Sequence, residues 1–233
     1  PGVGRFITRD TYTGESDEPL SLHLYTYCEN DGVNAWDPSG HTKESVINVH
    51  SVKKGKREAV LIKAGLELDV DGSPRAYAPD NKKYKPLDYL ENAKNGFGGW
   101  CGIYTKNGKP IKQKYGVYKG YYISTTALEN ERYDKDDTRR YVNSEKIPYI
   151  VNSRITRNKH IELGDICYVW NKKKKKGSYA IVADNGPSGK FGEGSIKLAK
   201  NIGVGLYMSS SGKYIGTNAV SYTHLTLPTI CSV

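Results

Sequence analysis

The sequence predicts a mostly β protein with short helices. Three observations carry that expectation. The 233 residues include 19 Tyr and 25 Gly, with hydrophobic residues at only 37%, a composition that suits pleated, loop-rich structure better than a helical bundle. Short apolar or alternating segments recur beyond residue 65, at residues 66–71, 121–126, 149–151, 166–170 and 179–183. Gly, Pro, Asn and Asp punctuate the gaps between them, as turns require.

The chain starts at Pro1 without Met and reads as a fragment with no visible signal peptide. Its charge is unevenly placed. Residues 1–41 hold 2 basic and 7 acidic residues, and the remainder holds 33 against 18, a net of +15. That asymmetry predicts two modules of different origin. In the first, residues 22–27 and a partner predict short strands, and Asp37-Pro38-Ser39-Gly40 reads as a turn. Residues 42–58 are polar, with the basic cluster Lys53-Lys54-Gly55-Lys56-Arg57, and read as a linker.

The second module is expected over residues 59–204. Alternation at 66–71 puts Glu67, Asp69 and Asp71 on one strand face and Leu66, Leu68 and Val70 on the other. Crowded acids repel unless they meet a cation, sugar hydroxyls or basic side chains. Asp69-Val70-Asp71-Gly72 has only part of a calcium-loop spacing. Residues 81–120 are rich in Tyr, Lys and Gly. Among them Tyr84, Tyr89, Phe97, Trp100, Tyr104, Tyr115 and Tyr118 are mostly packing residues, with one or two expected to offer a ring to a sugar. Lys106-Asn107-Gly108-Lys109 is a hairpin turn. Residues 121–126 alternate as a strand, and 129–140 form a charged loop. Residues 166–170 and 179–183 predict a hairpin whose tip is the run Lys172 to Lys176, a solvated tip that discourages edge pairing.

The strand at 179–183 runs into Asp184, and Asn185-Gly186-Pro187-Ser188-Gly189 must turn. Glu193 follows between Gly192 and Gly194. Ser195 then caps a short helix in which Ile196, Leu198, Ala199 and Ile202 recur at helical spacing. A strand end, a loop and a helix start thus present two carboxylates near one rim. Acid/base cleavage of a glycosidic bond needs such a pair.

Cys28, Cys101, Cys167 and Cys231 lack Cys-x-x-Cys spacing, so no zinc site is expected and no cofactor or metal is implied. Cys167, inside an apolar strand, is expected to be a buried thiol; in an exported protein Cys101 and Cys167 are candidates for pairing. No run approaches the roughly 18 apolar residues of a membrane span. The strongly basic second module favours anionic partners: nucleic acid, an anionic wall polymer or an acidic inhibitor protein.

Two stretches carry resemblances. Gly4-Arg5-Phe6-Ile7, Arg9-Asp10, Pro19-Leu20-Ser21-Leu22, Tyr25-Thr26-Tyr27 and Asp37-Pro38-Ser39-Gly40-His41 resemble the end of an Rhs/YD-repeat core over nearly all of residues 1–41. That likeness implies a large β shell around a variable C-terminal toxin domain. It also implies self-cleavage at the border on which Asp37 lies; Gly32 stands where the family often has Pro. Residues 66–80, 121–128, 139–151, 163–171 and 179–203 together resemble glycoside hydrolase family 75, the fungal-type chitosanases. This likeness implies catalytic residues Asp184 and Glu193, with a loop between them somewhat shorter than in the fungal enzymes. Substrate contacts are expected from Asp69, Asp71 and Tyr121.

The combined expectation is a double-psi β-barrel-like domain acting as the toxin of an Rhs-type protein, secreted or delivered to a target cell. It would hydrolyse a β-1,4-linked amino-sugar polymer, chitosan or wall glycan, with inversion. Glu193 has the better case as the acid, from its flanking glycines and apolar neighbours, and Asp184 as the base. An acidic immunity protein is the expected partner, beside the Rhs shell. The rivals are a nuclease toxin and a non-catalytic glycan-binding module. Beyond Val204 the likeness ends. Residues 221–230 resemble translated sequencing adapter, so 205–233 is expected to be a non-native tail in place of one further strand.

Overall fold

The computed structural model describes residues 48–54, 57–95, 98–158, 160–186 and 192–208, with short strands at 35–36, 44–45, 214–215 and 223–228. The chain divides into two compact units, 1–48 and 49–233. In the first, strands β1 (Ala35–Trp36) and β2 (Glu44–Ser45) pair antiparallel. The strands expected at 22–27, and Asp37, lie outside the described residues.

The second unit is mostly β with few short helices. Its strands are β3 (Asn48–Lys54), β4 (Arg57–Ala64), β5 (Glu67–Asp69), β6 (Thr105–Lys106), β7 (Lys109–Pro110) and β8 (Tyr149–Asn152). They continue as β9 (Ile166–Asn171), β10 (Lys176–Asn185), β11 (Glu193–Ser195), β12 (Tyr207–Met208), β13 (Tyr214–Ile215) and β14 (Thr223–Pro228). Helices α1 (Asn81–Tyr84), α2 (Arg154–Arg157) and α3 (Ile196–Asn201) are one to two turns long.

Eight strands form one mixed sheet in the order β3-β4-β14-β9-β10-β8-β11-β5. Its centre is the predicted lysine-tipped hairpin, in which β9 and β10 pair antiparallel from Ile166↔Ile181 to Asn171↔Lys176. β10 then pairs parallel with β8, and β11 parallel with β5. Two sequence expectations change here. Residues 48–54 form a strand rather than linker; Val49 and Val52 stand three apart among polar residues, so no period-two alternation marks a strand there. Residues 121–126 make only isolated bridges, Lys112↔Tyr122 and Ile103↔Ser124, because neighbouring turns break the ladder.

The tail also takes a place in the sheet. β14 pairs antiparallel with β4 from Thr223↔Ala64 to Pro228↔Ala59, and with β9 from Thr223↔Asn171 to Thr226↔Tyr168. The stretch expected to be non-native therefore occupies an interior slot, where backbone donors and acceptors on both sides would otherwise be edges.

Period two divides the sheet into two faces. Cys167, Val169, Ala180 and Val182 are buried on the face that α3 covers with Ile196, Leu198 and Ile202. Ser195 caps α3 by accepting from the Leu198 N–H at 3.1 Å, as its sequence position predicts. Asn171 fastens the other end of α3, donating from Nδ2 to the Ile202 carbonyl at 3.1 Å. A second core gathers Val70, Ala76, Tyr77, Leu87, Ala93 and Ile103 with Ile196, so residues 70–103 pack against the same helix. The hairpin at 105–110 forms as read, with Asn107 and Gly108 both at positive φ, 52° and 73°.

Candidate active site

The site begins with an irregularity in β10. The register runs Ile181↔Tyr149 and Val182↔Ile150, then slips so that Asp184, not Ala183, stands opposite Val151. Strict alternation would put Asp184 on the face of Ala180 and Val182, beneath α3. The bulge inserts one residue and returns Asp184 to the other face, beside Tyr149 and Val151. Pairing of β11 with β5 sets Glu193 opposite Glu67 and Ser195 opposite Asp69. Gly194, opposite Ile150, takes the α3 side, where an added Cβ would meet the Leu198 side chain at 2.9 Å. Glu193 accordingly shares the face of Asp184 and Asp69. Its Oε2 lies 3.1 Å from where a Cβ on Gly186 would be, just past the end of β10.

Three carboxylates converge here. Oxygens of Asp69, Asp71 and Asp184 all lie within 4.8 Å of one another, and all three residues are half-buried. Asp184 is held by two backbone donors on Oδ1, Ala127 N–H at 2.9 Å and its neighbour Asn185 N–H at 2.8 Å. Asp69 accepts the Asp71 N–H at 2.8 Å. Asp71 accepts from the Tyr77 hydroxyl at 2.8 Å and the Ser124 hydroxyl at 3.2 Å. The Tyr149 hydroxyl donates to the Asp71 carbonyl at 3.0 Å. Gly102 makes room for the Asp71 carboxylate: its φ is +63°, and a Cβ there would stand 2.1 Å from Asp71 Oδ2.

Burial and mutual repulsion shift these groups in one direction. Asp69 rises from 3.8 to about 7, first by desolvation and then by the Asp184 charge. Asp71 is pushed well above the usual carboxylate range by desolvation and by Asp69 and Asp184. Asp184 rises to about 6 through desolvation, with the Glu193 charge adding to it, against the two backbone amides that favour its ionised form. The cluster therefore carries protons near neutral pH, which a group of solvated loop acids would not.

Sequence reasoning placed Asp69, Asp71, Asp184 and Glu193 near one another, and the structure groups them on one face. It does not bring Tyr121 to them. The Tyr121 hydroxyl donates to the Tyr84 carbonyl, and its ring packs edge-to-face on Tyr84 and Tyr118 at 5.2 and 5.6 Å. Of the candidate sugar-stacking rings, Trp100 packs on the 70–103 core, Tyr115 is exposed, and Phe97 lies outside the described residues. Missed by the sequence reading were Tyr77, Ser124 and Tyr149, the hydroxyls that orient the carboxylates. Each falls in one of the stretches that suggested a glycosidase, which was the available signal. Cys167 is a buried free thiol pushed up to about 12 by desolvation, and Cys101 is free and exposed.

The same three carboxylates are a set that could hold a cation, a feature the sequence reading did not expect. Among the described residues no helix is long and apolar enough to cross a membrane. Compared with models of known protein families and with curated proteins, the chain has no match.

Proposed function

We propose that residues 59–204 are an endo-glycosidase of the kind found in glycoside hydrolase family 75, with a double-psi β-barrel-like fold, borne as the toxin of an Rhs-type protein. On this reading the toxin is secreted or delivered to a target cell and held in check by an acidic immunity protein. The observation that carries it is the placement of Asp184 and Glu193 on one sheet face, with the Asp184 carboxyl raised to about 6. A carboxyl that keeps its proton to near neutral pH is suited to protonate a leaving glycosidic oxygen. The Glu193 charge contributes to that rise, and in this reading Asp184 donates the proton while Glu193 activates water. This reverses the roles that the flanking glycines of Glu193 suggested. Inversion requires the two carboxyls to stand about 6.5–9.5 Å apart with water between them. Asp69 and Asp71, oriented by Tyr77, Ser124 and Tyr149, contact sugar hydroxyls.

One observation favours a second reading. Three carboxylates with oxygens within 4.8 Å of one another could hold a metal ion, as metal-dependent phosphodiesterases require, and the basic charge of residues 42–233 suits a nucleic acid. A single experiment separates the two. The chain is incubated with partly acetylated chitosan, peptidoglycan, plasmid DNA and RNA, each with magnesium and with EDTA. Glycan cleavage indifferent to EDTA supports the glycosidase. Magnesium-dependent loss of nucleic acid, with every glycan intact, overturns it.

A further inference from the structure

The bulge that turns Asp184 outward also puts it on the same sheet face as the exposed side of the β9–β10 hairpin. Along that face, away from the carboxylates, come Ile181 opposite Ile166, then Tyr179 opposite Tyr168, then Gly177 opposite Trp170. Of these, Ile166 and Tyr179 are exposed, Gly177, Tyr168 and Trp170 are half-buried, and Ile181 packs against the buried cluster of Tyr149, Val151 and Ala183. Tyr179 is 69% exposed and Ile166 44%, and Ile147, just before β8, is 43% exposed. Tyr168 and Tyr179 pack edge-to-face with centroids 5.2 Å apart. An added Cβ at Gly177 would meet the Tyr168 hydroxyl at 2.0 Å and the Trp170 ring at 2.9 Å, so both side chains lie across the glycine. A strip of apolar and aromatic side chains on an open sheet face marks a binding surface. Beyond it the hairpin tip presents the lysines 172–176, all exposed.

The strip is in register with the carboxylates, and on the same face the buried cluster of Tyr149, Val151 and Ala183, with Leu128 and Val142 packed on it, lies beside Asp184. Tyr179 stands about 15 Å from Asp184 along β10, at roughly 3.3 Å per residue. A bound molecule touching both must be an extended polymer. Flat rings suit the C–H faces of sugars. The lysines set the sign of its charge: protonated amines of a deacetylated chitosan chain would face five ammonium groups, whereas carboxylates on a wall glycan would be attracted.

We propose that Tyr168 and Tyr179 form a glycan rail leading from the carboxylates to the lysine tip, and that the polymer it holds is an anionic, peptidoglycan-type amino-sugar chain. The proposal rests on the glycosidase reading and names its substrate class.

The test is retention of the full chain, carrying Asp184→Asn to prevent digestion, on insoluble peptidoglycan sacculi and on deacetylated chitosan particles. Retention on sacculi should exceed that on chitosan and weaken as salt rises. Tyr179→Ala and Tyr168→Ala should each weaken it about five- to tenfold, and Tyr179→Phe should restore most of the loss. Replacing Lys172, Lys173 and Lys175 together by Glu should abolish the preference for sacculi. Thermal melts of each variant separate lost binding from lost folding, and Tyr179→Phe keeps the test valid if an alanine variant unfolds. Undiminished retention of a folded Tyr179→Ala variant overturns the rail. Stronger retention on chitosan overturns the anionic polymer, and no retention on either overturns both. Cleavage of soluble glycan by the parent chain, with Asp184 intact, decides the glycosidase reading separately.

Discussion

Replacing Asp69 by Asn should stabilise the protein above neutral pH. In the folded state the Asp69 carboxyl titrates at about 7 instead of 3.8, because it is desolvated and faces Asp184. A folded value above the unfolded one means the native state holds more protons between these limits. Stability is therefore fullest below about pH 4 and declines as pH rises toward about 7, levelling beyond it. The rise is worth at most about 4 kcal/mol, at about 1.4 kcal/mol for each pKa unit. Asn keeps the shape but accepts more weakly from the Asp71 N–H, and it must re-pair with the Tyr149 hydroxyl, which offsets about 1–2 kcal/mol. The net gain at pH 8 is about 2–3 kcal/mol, or roughly 5–10 °C in Tm for a chain of this size. Melts of wild type and Asp69→Asn at pH 4, 6 and 8 measure it. The gain should be gone by pH 4, close to the 3.8 of the unfolded carboxyl, where the weaker pairing of Asn leaves the variant level with or below wild type. An Asp69→Asn protein that melts no higher than wild type at pH 8 would refute the argument that this cluster stores electrostatic strain.

Further outcomes are expected. Asp184→Asn and Glu193→Gln should each lower glycan cleavage by at least about a hundredfold, with Tm little changed, as measured by reducing-end release. If Asp184 is the proton donor, kcat/KM should fall as pH rises through about 6, and Asp184→Asn should remove that limb of the profile. Gly102→Ala forces a side chain at φ +63° against Asp71 Oδ2; it should cost about 1–3 kcal/mol and weaken cleavage, with the melt and the rate compared on one preparation. Deleting residues 205–233 removes β14 from between β4 and β9 and should lower Tm by at least roughly 5 °C or cause aggregation, seen by light scattering. The adapter-like reading of the tail, taken alone, gives the opposite outcome, no change.

Local chemistry was readable from the sequence. The β9–β10 hairpin is set by two apolar runs flanking a lysine tip that cannot be buried. The Ser195 cap and the α3 stripe follow from hydroxyl position and helical spacing, and Asn107-Gly108 from a turn that tolerates positive φ. Asp69 and Asp71 were legible as a pair, because two acids two residues apart stay together whether the strand continues or turns. The tertiary structure decided the rest. Whether Asp184 faces α3 or Tyr149 depends on a one-residue register slip against β8, and period two along β10 predicts the wrong face. Residues 223–228 become a strand between β4 and β9, partners distant in sequence, and residues 48–54 become one beside the next strand in the chain, β4, since pairing satisfies their backbone groups regardless of weak local propensity. Tyr77, Ser124 and Tyr149 come from three separate stretches, and their hydroxyls meet at the carboxylates only when packing around α3 brings those stretches together. The proton affinity of Asp69 and Asp184 arises the same way: it belongs to burial and to neighbouring charge, neither of which exists until the chain has folded.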